Sequence, residues 1–421
     1  MKKNNYRPRI ADSLLREALR ASGAIYIQGP KWCGKTWTAL QQANSVLMMQ
    51  DPDQTANYMA MAEAKPSLLL DGAVPRLLDE WQMAPVLWDA VRFAVDRRGA
   101  QGQFILTGST KPLDGDVMHT GTGRIARMRM RTMSLFESGD STGQVSLASL
   151  FSGAEPEGIA GLDVEHLAFV TARGGWPAAV GADEGVGLQQ ARNYLDAIVE
   201  TDVSEVDGMS RNPARVRALM RSIARNVAGP ASVATLCSDI AGDDESLSPN
   251  TVRSYLKALE RLFVIEDQPA WMPALRSRTV LRATAKRHFV DPSIAVAALR
   301  TSPAGLLKDF NTFGFLFESL CVRDLRIYAQ KIGGDVCHYR DETGLEADAV
   351  VALHDGRWGA FEVKMGQARI DEAAANLLRL KDRIDERKMN PPSFLAVMTG
   401  NGYAVRRKDG VCVVPLPCLK D

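Results

Sequence analysis

The octapeptide GPKWCGKT, from Gly29 to Thr36, constrains the fold of this 421-residue chain more than any other segment. It fits the spacing G-x-x-x-x-G-K-[ST], follows the β-prone run Ala24–Gln28, and precedes a stretch typical of a helix start. In this strand, loop and helix order, glycines allow backbone N–H groups to curl around a phosphate, and the helix N-terminus adds a favourable dipole. The sequence therefore predicts a phosphate-binding loop.

Each residue of the motif receives a predicted role from this geometry. The phosphate cradle would consist of Gly29, Pro30, Lys31, Trp32, Cys33, Gly34, Lys35 and Thr36. Lys35 would reach the β- and γ-phosphates of a nucleotide, and the Thr36 hydroxyl would bind Mg²⁺. An ordinary strand-to-helix turn is the alternative.

Two later strands are expected to complete the nucleotide site. Leu77 and Leu78 lead into Asp79 and Glu80, where Asp79 would hold Mg²⁺ and Glu80 would polarise the attacking water. Such an acidic pair is also common as a helix cap. A strand at Phe104–Leu106 ends in Thr107-Gly108-Ser109, so a hydroxyl of Thr107 or Ser109 could sense the γ-phosphate.

Arginines follow in the segment GTGRIAR, just before a β-like run from Met128 to Leu135. In ATPases with a strand between the phosphate loop and the acidic strand, an arginine here often reaches a neighbouring subunit's nucleotide. Arg124 and Arg127 are therefore candidate arginine fingers, and a homo-oligomer is a candidate assembly. A solvated arginine on a loop is the alternative for each.

The order GPKWCGKT, LLDEWQ, FILTGS and GR resembles that of the AAA-type ATPases, and especially a prokaryotic subgroup with a C-terminal domain of unknown function. The motif GGWP at Gly174–Pro177 and the stretch YLDAIVETDVSEVD are similar to the pattern of that subgroup. The resemblance covers nearly the whole chain. It implies an α/β fold, with a parallel sheet between helices, that binds and hydrolyses ATP with Mg²⁺.

Composition limits the remaining possibilities. With 46% hydrophobic and 24% charged residues and a net charge of +1, the chain is typical of packed globular protein and excludes a uniformly basic coat. Its six cysteines show no paired or zinc-type spacing, which favours a reducing cytoplasm. We expect no signal peptide and no membrane segment, because no apolar run of about 18 residues occurs.

A basic middle segment is the candidate DNA-contacting region. Residues 211–290 contain 13 Lys or Arg and 7 Asp or Glu, and apolar periodicity predicts three helices there. The third helix would expose Arg253, Lys257 and Arg261, and strands at 263–265 and 279–281 could form a β-wing. This pattern indicates a winged helix-turn-helix, although a basic stripe is also typical of a solvated helix face.

Near the C-terminus, a predicted hairpin carries acidic and basic residues on one face. With Leu353 opposite Arg357 across the turn, Asp348 faces Glu362, and alternation places Lys364 beside Glu362. Two carboxylates and an amine so arranged could bind Mg²⁺ and a phosphoryl group, as in PD-(D/E)xK nucleases. Glu318, on an apolar helix, would add a third acid, and Glu346 competes with Asp348 as the ligand. An ion pair on a solvated strand is the alternative.

These features predict four parts: a P-loop core over 1–140, a helical lid or linker over 141–210, a winged helix-turn-helix over 211–295, and a restriction-endonuclease-like α/β domain over 296–421. The Gly- and Ser-rich segment 138–161 is expected to be a linker. The leading interpretation is an ATPase that couples nucleotide state to a DNA-associated module. A Mg²⁺-dependent DNA endonuclease gated by ATP and a non-catalytic, nucleotide-controlled regulator remain the alternatives.

Overall fold

A computed structural model describes residues 6–111, 119–241, 247–273 and 284–421. The chain divides into two compact units. The first comprises Met1–Thr132, Asp202–Ser210 and Lys257–Val264, and the second comprises Met133–Thr201, Arg211–Leu256 and Ile265–Asp421. Within the described ranges, no helix has both the length and the apolar character needed to cross a membrane.

The first unit is built on a five-stranded parallel sheet with helices around it. Its elements are α1 Ile10–Ala21, β1 Ala24–Gln28, α2 Lys35–Leu40, β2 Ser45–Met48, α3 Thr55–Ala64, β3 Arg76–Asp79, α4 Val86–Arg98, β4 Phe104–Gly108 and β5 Ile125–Arg129. The strand order is β2-β3-β4-β1-β5. Strand β4 therefore lies between the strand before the phosphate loop and the acidic strand, and both predicted flanks of the loop are present.

Apolar side chains bury both faces of this sheet, as expected for a parallel sheet covered by helices. On one face Tyr26 makes edge-to-face contacts with Trp81 and Trp88, at centroid distances of 5.6 and 5.7 Å. The parallel register pairs Asp79 with Thr107. Because the carboxyl ends of parallel strands meet at one edge, this packing brings the ends of β3 and β4 beside the phosphate loop.

The second unit begins with mainly helical structure. The elements in chain order are α5 Leu135–Ser138, β6 Val145–Ser146, α6 Leu147–Phe151, β7 Gly158–Ile159, α7 Val164–Arg173, α8 Glu184–Ala197, α9 Val203–Glu205, α10 Pro213–Arg225, α11 Val233–Ala241, α12 Pro249–Arg261, β8 Ile265–Gln268, β9 Lys286–Phe289, α13 Pro292–Ala298 and α14 Pro303–Leu306. A π-helical turn, Ile198–Asp202, joins α8 to α9. Helix α9 and the end of α12, from Lys257, are part of the first unit.

A seven-stranded mixed sheet forms the rest of the second unit. Its elements are α15 Phe310–Lys331, β10 Gly334–Arg340, β11 Glu346–Leu353, β12 Trp358–Lys364, α16 Ile370–Asp382, β13 Phe394–Thr399, β14 Tyr403–Arg406, β15 Cys412–Pro415 and β16 Leu419–Lys420. The order is β10-β11-β12-β13-β15-β14-β7. Strands β10, β11 and β12 are antiparallel, whereas β12, β13 and β15 are parallel.

Helices α10 to α12 occur where the apolar periodicity predicts them. The Asn212 side chain accepts hydrogen bonds from the N–H groups of Ala214 and Arg215, which is the predicted cap of α10. The first strand of the predicted wing was placed too early in the sequence. The first strand is β8, two residues later than expected, and it pairs antiparallel with β9. The expected second strand, 279–281, lies outside the described residues.

The segment 138–161 is not a linker, contrary to the prediction. Strand β6 pairs in parallel with β16, and β7 pairs with β14 at the edge of the large sheet. Between them, Phe151 packs edge-to-face on Phe394 of β13 at a centroid distance of 5.0 Å. Gly and Ser composition indicated a mobile loop, but strand pairing with residues far along the chain orders this segment.

The GGWP motif takes part in a buried network of hydrogen bonds and ion pairs. A Cβ atom at Gly175 would lie 2.0 Å from the Met133 carbonyl oxygen, so only glycine fits there. The Gly175 N–H donates to Asp291 at 2.9 Å, and Arg323 bridges Asp291 and Asp324 at 3.1 and 2.7 Å. The motif therefore has a structural explanation within the second unit.

Candidate functional site

The phosphate loop has the backbone conformation that its glycines allow. Gly34 and Trp32 both have positive φ angles, 99° and 65°. A Cβ atom at Gly29 would lie 2.1 Å from the Met130 carbonyl oxygen. Because a side chain is excluded at Gly29 and disfavoured at Gly34, the two glycines of the motif permit the tight curl between β1 and α2.

The buried Arg9 side chain links the phosphate loop to a later segment by hydrogen bonds. The Arg9 guanidinium donates to the carbonyl oxygens of Cys33, Arg131 and Thr132, at 2.9, 3.0 and 3.2 Å. The Cys33 side chain is fully buried beneath the loop. The loop is therefore held to the chain that follows β5.

Lys35, Thr36 and Asp79 converge at the mouth of the loop. The buried Lys35 ammonium donates to the carbonyl oxygens of Gly29 and Pro30, at 3.1 and 2.8 Å. The Thr36 hydroxyl donates to Asp79 at 2.7 Å, and the fully buried Thr107 hydroxyl donates to the same carboxylate oxygen at 2.6 Å. The hydroxyls of Thr36 and Thr107 therefore both bind the Asp79 carboxylate, while the Lys35 ammonium binds the backbone of the phosphate loop.

Glu80 lies next to this group in a left-handed conformation, with φ 53°. Its carboxylate accepts hydrogen bonds from the Ser109 hydroxyl at 3.3 Å and from the Gln82 amide. The Glu80 N–H lies 3.4 Å from the Thr107 hydroxyl. The structure thus brings together all four predicted residues from the ends of β3 and β4: Asp79, Glu80, Thr107 and Ser109.

The donor set at the loop fits Mg²⁺ bound beside a triphosphate. A threonine hydroxyl and an aspartate carboxylate 2.7 Å apart are oxygen ligands of the kind that Mg²⁺ prefers, and Mg²⁺ commonly keeps few protein ligands beside phosphates. Thr36 and Asp79 are therefore the residues that would hold the ion, which would neutralise phosphate charge.

The remaining loop residues are more exposed. Lys31 makes an ion pair with Asp202 at 2.7 Å, and the Asp202 side chain is 9% exposed. Trp32 is half exposed. Asp202 ends the π-helical turn and lies inside the stretch YLDAIVETDVSEVD, so that part of the sequence pattern meets the phosphate loop within the first unit.

The two candidate arginine fingers have partners within the first unit. Arg124 donates to Asp96 at 2.7 Å, and the Arg127 guanidinium lies 5.6 Å from the Trp88 ring centre. The predicted strand position was wrong, because β5 begins at Ile125 and includes Arg127. Parallel pairing with β1 determines this earlier start.

The basic stripe on α12 is shorter than predicted. Arg253 and Lys257 are exposed, but Arg261 is only partly exposed and donates to the Lys111 carbonyl oxygen at 2.9 Å. The prediction for Arg261 as an exposed residue is therefore corrected, because the end of α12 packs within the first unit.

A second cluster of charged residues lies in the second unit. Its members are Lys286, Glu318, Asp348, Glu362 and Lys364, which we call the acid–lysine cluster. The Lys286 ammonium lies 2.7 Å from Glu318 and 3.4 Å from Asp348, and Lys364 lies 3.0 Å from Glu362.

The hairpin of β11 and β12 has the predicted register, with Ala349 opposite Phe361. In this register Asp348 is opposite Glu362, and the Asp348 carboxylate accepts the N–H of Val363 at 2.7 Å. Glu346, the alternative ligand, is 43% exposed and lies 3.9 Å from Arg340. Asp348 rather than Glu346 therefore belongs to the cluster.

Burial and mutual repulsion shift the ionisation of the cluster. Burial, followed by repulsion from Asp348, raises the pKa of Glu318 to about 8 and that of Glu362 to about 7. Burial lowers the pKa of Lys286, but attraction to Glu318 and Asp348 outweighs burial and raises it overall.

These directions conflict for the Lys286–Glu318 pair, since a proton on Glu318 would remove the attraction that keeps Lys286 charged. The 2.7 Å contact favours the charged pair. One oxygen of Glu362, Oε2, is buried without a hydrogen-bond partner. Of the two raised carboxyl pKa values, the shift of Glu362 is therefore the one that produces a titration near neutral pH.

This cluster does not fit a divalent metal in its present arrangement. Three carboxylates approach one another, but Lys286 lies between two of them. In the part of the chain that the structure describes, no group of three or more His, Cys, Asp or Glu side chains could hold a metal ion. We therefore derive no metal-dependent step at the cluster.

Several residues at these sites carry no local motif. Arg9, Asp202 and Lys286 are each far in sequence from the residues that they contact. Only Asp202 had a signal, because it lies in a stretch already noted for its resemblance to a family pattern. Lys286 is the first residue of the short and mostly buried strand β9, and such a strand does not identify a site.

Comparison with known protein families matches three consecutive segments. Residues 21–138 match a family described as an AAA domain. Residues 164–305 and 313–419 match two families described as domains of unknown function, DUF8612 and DUF4143. The first unit contains an AAA-type P-loop ATPase domain. A domain of this kind uses a nucleotide, usually with Mg²⁺.

Similar proteins were also found among curated sequences and solved structures. Uncharacterized protein Rv2008c of Mycobacterium tuberculosis and uncharacterized protein Mb2031c of Mycobacterium bovis are each 23% identical over 359 residues, covering 85% of this chain and 73% of theirs. The Walker-type ATPase PABY2304 of Pyrococcus abyssi aligns with 14% identity and a TM-score of 0.43, covering 70% of this chain and 97% of that one.

Proposed function

We propose that this protein is an ATP-hydrolysing switch that couples nucleotide state to a DNA-associated second unit. The contact between Thr36 and Asp79, beside the buried Lys35, is the observation that carries the ATPase part. It supports a nucleotide whose terminal phosphates lie against Lys35. Glu80, held by hydroxyl and amide donors, would orient and deprotonate the attacking water.

The first experiment compares ATP turnover of Lys35→Ala with that of Lys65→Ala, an exposed lysine of the same unit. We expect Lys35→Ala to lose about 10²-fold or more of kcat/KM, because the ammonium stabilises charge on the transferring phosphoryl group. The Lys65→Ala variant should retain full turnover. An unchanged rate in Lys35→Ala would contradict the assignment.

DNA association is supported by three features of helices α10 to α12 and the strand pair that follows them. Helices α10 to α12 precede an antiparallel strand pair, as in a winged helix-turn-helix. Arg253 and Lys257 are exposed on the third of these helices. The surrounding segment has an excess of basic residues.

A salt titration of duplex-DNA binding tests this part. Each phosphate contact contributes a slope of about −0.9 in log K against log salt concentration. We expect the double variant Arg253→Ala/Lys257→Ala to make the slope shallower by about 2. Lys308→Ala/Lys381→Ala removes two exposed charges elsewhere and serves as the matched control. Equal slopes in all three proteins would reject these contacts.

Coupling between the two activities needs its own measurement. ATP turnover is followed with and without duplex or single-stranded DNA, at constant salt concentration. Stimulation in the parent protein that disappears in Arg253→Ala/Lys257→Ala is the expected result. DNA binding without any effect on ATP turnover would mean that the two activities of this protein are not coupled.

A second candidate function, phosphodiester cleavage gated by ATP, is favoured by the convergence of Glu318, Asp348, Glu362 and Lys364, and it requires the Lys286 ammonium to leave its position between Glu318 and Asp348. This set is the acid and lysine combination of PD-(D/E)xK nucleases. Supercoiled, linear and single-stranded DNA with Mg²⁺ or Mn²⁺ would serve as substrates. Cleavage that is lost in both Asp348→Ala and Glu362→Ala would support a nuclease, and cleavage that persists in both would indicate contamination.

A further inference from the structure

We propose that Lys286 is an intrachain cation that takes the place of a divalent metal between Glu318 and Asp348, and that it keeps metal out of the acid–lysine cluster. The inference rests on the proposed nuclease-like interpretation of the cluster and adds a means of regulation to it. It also explains why three approaching carboxylates do not form a metal site.

The geometry assigns one small volume to a single cation. The Lys286 ammonium contacts carboxylate oxygens from two elements, Oε1 of Glu318 on α15 at 2.7 Å and Oδ1 of Asp348 on β11 at 3.4 Å. A divalent ion that bridged these two carboxylates would lie about 2.0–2.6 Å from each oxygen. An ammonium and a metal ion cannot both occupy that position.

The strand that carries Lys286 is fastened to the same elements. Gln268, the register partner of Lys286, donates from its amide to the carbonyl oxygens of Cys337 and Asp348, at 2.9 and 3.0 Å. His288, two residues after Lys286, contacts Ser319 on α15 at 3.1 Å and Gln268 at 3.0 Å. Buried hydrogen bonds of Gln268 and His288 therefore hold the strand that carries Lys286 against α15, β10 and β11.

The other lysine of the cluster has a different position. Lys364 pairs with Glu362 at 3.0 Å and is more exposed than Lys286, with 20% against 8% of the side chain accessible. Oε2 of Glu362 has no hydrogen-bond partner, so it remains available as a ligand. Removal of Lys286 would leave Glu318, Asp348 and this oxygen without the cation that now separates the first two.

The experiment measures Mn²⁺ binding by calorimetry and by electron paramagnetic resonance, without nucleotide or DNA. All proteins carry Asp79→Asn, which removes the carboxylate proposed to bind metal at the phosphate loop. The compared variants are the parent, Lys286→Met, Lys286→Met/Asp348→Asn, and Lys364→Met as the matched lysine control.

We expect the acid–lysine cluster of Lys286→Met to bind one Mn²⁺ ion, with an affinity at least about tenfold higher than that of the parent cluster, because the competing charge is gone. Mn²⁺ should also raise the melting temperature of Lys286→Met. Adding Asp348→Asn should abolish this binding, and Lys364→Met should not create it. A folded Lys286→Met protein without the added site would overturn the proposal.

A measurement on the parent tests the proposal even if Lys286→Met fails to fold. Tight Mn²⁺ binding by the parent, lost on introduction of Asp348→Asn, would show that Lys286 does not exclude metal and would overturn the inference. Because these assays contain neither ATP nor DNA, their outcome is independent of the turnover and DNA-binding experiments. Failure of one proposal can therefore be distinguished from failure of the other.

Discussion

Lys35 in the first unit and Lys286 in the second are both buried lysines, but they contact different partners. Lys35 donates to two backbone carbonyl oxygens of the phosphate loop, whereas Lys286 contacts two carboxylates. A phosphate offers Lys35 a stronger, charged acceptor than neutral carbonyls do. Lys286 already has charged acceptors, and moving it would leave them buried without compensation.

The same contrast applies to the acids. Glu80 accepts hydrogen bonds from a hydroxyl and an amide, while Glu362 is paired with the ammonium of Lys364. Neutral donors orient a carboxylate without cancelling its charge. The comparison indicates that a similar set of residue types produces a site ready to exchange partners in one unit and a charge-compensated cluster in the other.

The largest effect is expected for Glu80→Gln, which tests whether the first site is chemically competent. Loss of a general base should reduce kcat for ATP hydrolysis by about 10²–10⁴-fold. ATP affinity should change little, because the proposed phosphate contacts come from the loop. Single-turnover hydrolysis and equilibrium nucleotide binding separate these quantities. Equal losses in binding and turnover would mean that Glu80 supports the fold of the site instead.

The free energy of unfolding tests whether the two buried lysines, Lys286 and Lys35, contribute differently to stability. Lys286→Met removes one partner of a buried ion pair, which should lower the free energy of unfolding by about 3–5 kcal/mol. Lys35→Met removes hydrogen bonds to carbonyl oxygens, for which we expect a loss of about 1 kcal/mol or less. Urea denaturation of the intact chain, followed by tryptophan fluorescence and circular dichroism, provides both values. Similar losses would contradict the contrast.

The dependence of stability on pH sharpens the comparison for the acids. The pKa of the Glu362 carboxyl rises from an ordinary 4.5 to about 7. Between these limits the folded cluster binds more protons than the unfolded chain, so its contribution to stability is greatest below the ordinary value and falls as pH rises. The melting temperature should therefore decrease over this window.

Glu362→Gln provides the control for that measurement, because an amide cannot titrate. The decline in melting temperature between about pH 5 and about pH 7, which both lie in this window, should be shallower in Glu362→Gln than in the parent. Parallel curves for the two proteins would show that this carboxyl does not take up the proton assigned to it.

The smallest effect is expected at the rim of the phosphate loop. Asp202→Asn would break the ion pair with Lys31, a residue whose side chain is 41% exposed. Partly exposed pairs contribute about 0–1 kcal/mol, so stability should hardly change. Freed from Asp202, Lys31 should strengthen nucleotide affinity by a few-fold, about 1 kcal/mol or less. Weaker ATP binding in Asp202→Asn would indicate that Asp202 positions the loop.

Local sequence was sufficient wherever short-range geometry decides the structure. The phosphate loop was predictable because glycine spacing, a preceding strand and a following helix act within about a dozen residues. The Asn212 cap and the β11–β12 register were predictable for the same reason, since a cap acts within one helical turn and a short loop limits how two strands can pair.

Contacts across long sequence separations were decided by the tertiary structure alone. Lys286 meets Glu318 and Asp348 because three separate elements pack together, and no spacing rule connects them. Arg261 loses exposure through packing at the end of α12, and the Gly- and Ser-rich segment 138–161 gains order by pairing with distant strands. Hydrophobic periodicity specifies which face of an element is buried, but not which charged side chain will meet it there.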